Sequence, residues 1–97
     1  DIVLNELLHK SDAKSDKVWG VAAVGGKLYT FWGRRTGNQQ FKYLGENTDS
    51  NWYLGVCLAG EKLKKGYVRL DDYDKQKWID NDSFRRTLFN KIMLGKV

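Results

Sequence analysis

Residues 18–33 read VWGVAAVGGKLYTFWG, two apolar runs joined by a pair of glycines at positions 25 and 26. Glycine has no β-carbon and adopts positive φ angles without strain. A two-residue Gly-Gly connection between apolar runs therefore predicts an antiparallel β-hairpin with a tight primed turn.

Counting outward from a two-residue turn fixes which side chains share a face of this hairpin. One face carries three cross-strand pairs, Ala23 with Leu28, Val21 with Thr30, and Trp19 with Trp32. The other face carries Val18, Ala22, Val24, Tyr29 and Phe31, with Gly20 leaving space for the ring of Phe31. Because both faces are apolar, further strands and at least one helix must cover them.

The flanking sequence supplies further elements of a meander. Residues 2–8 predict an edge strand, residues 11–17 a polar loop, residues 41–44 another strand and residues 67–70 a last short strand. Together they predict an α+β fold with a small antiparallel sheet of about four to five strands.

One helix is predicted between the last two of these strands, from about residue 50 to residue 65. Four apolar residues share the spacing of one helical stripe: Trp52, Val56, Ala59 and Leu63. We expect this helix to pack across the sheet. The apolar neighbours of Cys57 indicate that this side chain also packs inside.

The C-terminal part predicts an extension packed on the same domain. Residues 1–70 form the main unit in this prediction, and residues 71–97 add a charged connector over 71–77 and a second helix. Asp82 or Ser83 can cap that helix. Its inward residues would be Phe84, Leu88, Ile92 and Leu94, with Arg85, Arg86 and Lys91 outside.

Composition favours an acidic partner for a single folded domain. The 97 residues have a formal net charge of +5 and contain 13% aromatic residues. A single cysteine excludes an intramolecular disulfide, and no apolar run is long enough for a membrane span. Together these features predict a cytoplasmic (nucleoid-associated) or nuclear protein without membrane contact. Because the sequence begins at Asp1, we expect a processed product or a domain of a longer chain.

Residue types needed for catalysis or metal binding do not form a recognisable set. His9 is the only histidine and has no cysteine or second histidine at ligand spacing. The acidic pairs Asp71/Asp72 and Asp80/Asp82 lie in polar sequence that suits solvated loops or helix caps. We therefore expect no enzymatic activity, no cofactor, no metal and no small-molecule substrate.

Basic residues mixed with aromatics are the remaining candidates for a site. Trp32-Gly33-Arg34-Arg35 ends the hairpin with an indole, a residue free to turn and two guanidinium groups, a combination suited to stacking and phosphate contact. Lys42, Gln39 and Gln40 would complete this surface. Lys17 and the lysines of residues 62–65 could add charge, although the latter also complement the helix C-terminal dipole.

These residues resemble the WGR domain, named for its tryptophan-glycine-arginine signature. The resemblance rests on KVWGV at 17–21, GGKLYTFWGR at 25–34, QFK at 40–42 and EKLKKGY at 61–67. It covers roughly residues 3–70 and implies a small antiparallel sheet with a helix packed across it.

The resemblance also implies a function. WGR domains occur in DNA-damage-responsive poly(ADP-ribose) polymerases and in small bacterial proteins, and in the polymerases they bind DNA near strand breaks. Carried over, Trp32 would pack against a sugar or base at a DNA terminus, and Arg34 would contact phosphate or another protein domain. Duplex DNA ends, and neighbouring protein domains, are the partners implied. The alternative is a protein-interaction module that uses Arg34 with the apolar face around Phe31 or the C-terminal helix.

Overall fold

Residues 1–95, the part of the chain that the computed structural model describes, form one five-stranded antiparallel sheet and three α-helices. The elements in chain order are β1 (Ile2–Ser11), β2 (Asp16–Val24), β3 (Lys27–Arg34), β4 (Gln40–Glu46), α1 (Asp49–Lys64), β5 (Val68–Arg69), α2 (Asp72–Ile79) and α3 (Asp82–Met93). The strand order is β4-β3-β2-β1-β5. The predicted α+β class with an antiparallel meander is confirmed.

The central hairpin has the predicted turn and register. Gly25 and Gly26 have φ angles of +57° and +78°, as a type I′ turn requires. Pairing runs outward through Ala23–Leu28, Val21–Thr30 and Trp19–Trp32. The turn therefore sets which hairpin residues face each side of the sheet.

Gly20 makes room for the Phe31 ring, as predicted. A β-carbon built at Gly20 would lie 2.6 Å from the Glu6 carbonyl oxygen and 2.7 Å from Phe31 Cε1. Phe31 is fully buried, and its ring centroid lies 4.9 Å from that of Phe84. The version of the protein-interaction hypothesis that used an accessible face around Phe31 is therefore wrong, because helices cover that face.

β1 is not the edge strand that the sequence predicted. β5 pairs with it at Leu8 and His9, and the Arg69 guanidinium Nε lies 3.0 Å from Glu6 Oε1. A register shift between Leu4 and Glu6 inserts one extra residue into β1. This bulge lets Leu4 and Leu7 pack on the same face of the sheet, although positions three apart in a regular strand point to opposite faces.

α1 covers one face of the sheet through a stripe that matches the predicted one in part, since Ala59 is buried and Leu63 packs against the core as predicted. Gly55 and Ala59 are its buried residues, while Trp52 is 48% exposed and Cys57 is also exposed, so both of the latter were predicted wrongly as packing residues. A β-carbon on Gly55 would lie 3.3 Å from Val21 Cγ2. The two small residues let the helix backbone approach the sheet.

α2 and α3 cover the opposite face. The predicted connector over 71–77 is largely helical in α2, whose N-cap Asp71 accepts a hydrogen bond from the Asp74 amide at 2.9 Å. The N-cap of α3 is Asn81, so the predicted caps Asp82 and Ser83 were one and two residues too late.

The inward face of α3 follows the prediction at most positions. Phe84 and Leu88 are buried against Phe31, and Ile92 packs beside them. Leu94 is 67% exposed because α3 ends at Met93, so its predicted inward position was wrong. Among residues 1–95, no helix combines the length and hydropathy needed to cross a membrane.

Candidate nucleic-acid interface

A row of three cations crosses three neighbouring strands at one end of the sheet. Lys10 pairs in register with Lys17, and Lys17 pairs with Arg34. Neighbouring strands lie about 4.8 Å apart, and like charges placed directly opposite each other destabilise a sheet. Within the described residues, none of the three has a carboxylate oxygen within 4.0 Å. We call these residues the cation row.

The cation row belongs to the face of the sheet that α1 covers. Lys10 Nζ lies 6.0 Å from the ring centroid of Tyr67, which packs against the core cluster containing Trp19. Lys17 and Arg34 each lie two residues from a tryptophan of that face and therefore share its side of the pleat. An open concavity of about 920 Å³ at this end of the sheet is lined by both of them.

The loop beside the concavity is held by Asp12. Its Oδ1 accepts hydrogen bonds from the Lys14 and Ser15 amides, both at 2.8 Å, and from Ser15 Oγ at 3.0 Å. These bonds, that from Lys14 first, hold the pKa of Asp12 below its ordinary value of 3.8. The Asp12 carboxylate is thus engaged with its own loop.

The two adjacent arginines separate at the end of β3. Arg35 Nε lies 2.9 Å from Asp16 Oδ2, and the other Asp16 oxygen bonds His9 Nε2. The hydrogen bond from His9, followed by that from Arg35, lowers the pKa of Asp16. Arg35 also lines a small cavity of about 60 Å³ with Trp78, on the α2–α3 side. Of the two predicted contacts, Arg34 has no ion pair with any residue from 1 to 95, and Arg35 ties β3 to β2.

Gln39 lies inside the turn that follows Arg34. It is buried, and its Nε2 donates to the Arg34 and Gly37 carbonyl oxygens, both at 2.8 Å. Its amide nitrogen is therefore engaged with backbone, and the buried side chain lies away from the predicted recognition surface. Gln40 is exposed and pairs in register with Trp32, so it remains on that surface.

A groove runs between Trp32 and the C-terminal half of α1. It has a volume of about 460 Å³, and Trp32, 39% exposed, forms part of its wall while buried Trp19 lies beside it. Lys42, which the sequence predicted as a contact, lines the groove. Two lysines of the 62–65 run, Lys62 and Lys65, line it as well.

The structure brings four of the predicted contacts, Trp32, Arg34, Lys42 and Gln40, together on one side of the sheet. Sequence reasoning did not include Lys10. The signal for Lys10 is its register with Lys17, which depends on the length of the loop between β1 and β2. Lys64, also considered as a basic contact, lies 3.5 Å from Glu61 Oε1 and is absent from the groove wall that residues 1–95 describe.

Neither a metal site nor a known relative adds to this geometry. Among the described residues, no group of three or more His, Cys, Asp or Glu side chains is arranged to hold a metal ion. Comparisons of the chain with family models, curated proteins and solved structures found no match. The site is therefore interpreted from its own charges and contacts.

Proposed function

We propose that this chain is a non-catalytic DNA-binding module that recognises duplex ends or breaks through the surface around Trp32, Gly33 and Arg34. The observation that carries the proposal is the cation row. Three cations that face one another across strands, with no ion pair in the described part of the chain, are unfavourable in the free protein, and a polyanion would neutralise them together.

The shape of the surface supports a nucleic acid rather than a small anion. The row crosses three strands, about 10 Å between its outer members, and phosphates recur along each DNA strand about every 3.4 Å of helix axis. Arg34 can offer a planar fork to a phosphate, while Trp32, 39% exposed, is an aromatic side chain of the kind on which a base stacks.

The preference for ends rests on the resemblance to the WGR domain. In that assignment Trp32 packs on the terminal sugar or base, and the cation row and Lys42 contact the adjoining phosphates. Arg35 and Gln39 act as positioning residues, because their hydrogen bonds define where the chain turns after Arg34.

Fluorescence anisotropy with a blunt, 5′-phosphorylated duplex and closed circular competitor tests the proposal. We expect salt-dependent binding that circular DNA competes poorly. The double variant Lys17→Ala/Arg34→Ala should weaken binding and reduce the slope of log K against log salt by about 2, since each phosphate contact contributes about 0.9.

The matched control is Arg85→Ala/Arg86→Ala, which removes the same charge from exposed positions of α3. It should leave affinity nearly unchanged. Absence of salt-dependent binding, or equal losses in the two double variants, would reject the assignment of the surface. Equal binding of circular and linear DNA would reject only the preference for ends.

A protein-interaction function is the second candidate, supported by exposed apolar side chains on α1. Trp52, Tyr53 and Leu54 are 48%, 67% and 44% exposed. Three consecutive large apolar residues on a helix surface are unusual in a free monomer. A partner retained by the chain after nuclease treatment, and lost in Trp52→Ala/Tyr53→Ala, would favour this function.

A further inference from the structure

The groove beside Trp32 has the dimensions of a ligand site. Its volume of about 460 Å³ lies within the range of roughly 300–1,000 Å³ typical of small-molecule pockets. Its lining includes one partly exposed aromatic residue, Trp32, and three lysines, Lys42, Lys62 and Lys65. These are the groups that a single nucleotide needs for its base and its phosphate.

Glu61 is the feature that a phosphate-binding groove does not explain. It is the one acidic residue among the described residues that line the groove. Its carboxylate lies in the last turn of α1, where the helix dipole disfavours negative charge, and it repels any phosphate held by the neighbouring lysines. Its only ion pair in residues 1–95 is the 3.5 Å contact with exposed Lys64.

A carboxylate in this position has a use if the ligand offers hydrogen-bond donors. The Watson–Crick edge of an unpaired guanine carries N1–H and the N2 amino group side by side, which match two carboxylate oxygens as a guanidinium does. Adenine and cytosine each offer one amino group. Thymine offers a single N–H between two carbonyl oxygens, which repel a carboxylate.

We infer that the groove receives one unpaired base at the end of a DNA strand and that Glu61 makes it prefer guanine over thymine. The inference rests on the proposed DNA-binding function and adds a specificity-determining residue to it. The ring lies on Trp32, its phosphate contacts the lysines, and Glu61 accepts from the base edge.

The test uses duplexes with one unpaired nucleotide, dG or dT, at either the 3′ or the 5′ end, with a blunt duplex for reference. The full chain should bind the dG duplex about fivefold to tenfold more tightly than the dT duplex in one of the two polarities, the lower part of the range for a good bidentate contact. Glu61→Gln should bring that ratio to about one.

The ratio of the affinities for the dG and dT duplexes separates base recognition from a general electrostatic effect. Glu61→Gln also removes one negative charge, so it should strengthen binding to blunt DNA by reducing the repulsion of phosphates. Asp72→Asn, on the exposed surface of α2, removes the same charge at a distance and should leave the dG to dT ratio unchanged. A ratio changed equally by both variants would overturn the role of Glu61.

Failure of this inference is distinguishable from failure of the proposed function. Salt-dependent binding to blunt DNA with a dG to dT ratio near one in both polarities would overturn only the inference. Loss of all salt-dependent DNA binding would overturn both. Displacement of the duplex by micromolar dGMP would assign the groove to a free nucleotide instead, which also overturns a site for a strand end.

Discussion

Gln39→Glu should strongly destabilise the protein, although the two side chains have nearly the same shape. The Gln39 amide nitrogen donates to two backbone carbonyl oxygens, those of Arg34 and Gly37, from a buried position. A carboxylate cannot donate, so the substitution removes both hydrogen bonds and directs a negative charge at two oxygens.

The magnitude follows from those contacts. Two lost hydrogen bonds cost about 1 kcal/mol each, and an unpaired buried charge adds a further 1–2 kcal/mol after relaxation toward solvent at this turn. We expect the free energy of unfolding to fall by about 3–4 kcal/mol at pH 7, a large part of the roughly 5–15 kcal/mol of a typical domain.

Urea denaturation followed by tryptophan fluorescence measures this loss. The matched control is Gln40→Glu, because the neighbouring side chain is exposed and the same change there should cost less than about 0.5 kcal/mol. The loss of unfolding free energy caused by Gln39→Glu should also become smaller as pH falls toward 5. Burial raises the pKa of the introduced carboxyl, and its protonated form regains one donor. A loss below about 1 kcal/mol, or equal losses in both variants, would refute the role assigned to Gln39.

Three further outcomes are expected. Gly20→Ala should destabilise the protein by at least about 2 kcal/mol, since its β-carbon would lie 2.6 Å from the Glu6 carbonyl oxygen. Gly60→Ala should instead stabilise it by up to about 1 kcal/mol, because no described atom lies within 4 Å of the new β-carbon. Thermal melts compare the two variants. Because the pKa of Asp16 is lowered in the folded protein, its carboxylate adds stability above the ordinary pKa of 3.8, and this stability is lost as pH falls through the lowered pKa. Asp16→Asn should therefore reduce the fall in the urea midpoint between pH 5 and pH 2. An unchanged fall would contradict the contact of Asp16 with His9 and Arg35. The exposed Cys57 thiol should react with a disulfide reagent in the native protein as fast as in urea, and native protection would contradict the orientation of α1.

The sequence predicted the central hairpin well because its geometry is local. Two adjacent glycines fix the turn, and the period of two then assigns every side chain to a face. The space at Gly20 for Phe31 follows from the same count. No distant contact is needed for any of these predictions.

Elements that depend on distant contacts were predicted less well. The predicted stripe of α1 included Ala59, which is buried, and Trp52, which is exposed. It missed Gly55, because the contact of a residue without a side chain is set by how closely the helix backbone approaches the sheet. The bulge in β1 and the position of β5 beside it depend on which strands become neighbours, a choice that no local pattern carries.

In the candidate site, too, the residues placed by local geometry were predicted better than those placed by distant contacts. Trp32 and Arg34 were located by the hairpin and lie where expected. The engagement of Arg35 with Asp16, and of Gln39 with the turn, depends on a partner from another strand or on the path of a loop. Residue type alone predicted all four as ligand contacts, but within residues 1–95 the side chains of Arg35 and Gln39 already hold protein partners, whereas none is recorded for Trp32 and Arg34.

The position of Phe31 between two strands and the C-terminal helices has a consequence for the order in which the chain is made. Its ring is buried partly by Phe84, which follows it in the chain after β4, α1, β5 and α2. A nascent chain that has emerged only as far as α1 can cover one face of the sheet, but it leaves the aromatic surface around Phe31 exposed to solvent and to other chains. We therefore expect the sheet to be fully covered only after α3 has been synthesised, and a chain terminated before Phe84 to be prone to self-association.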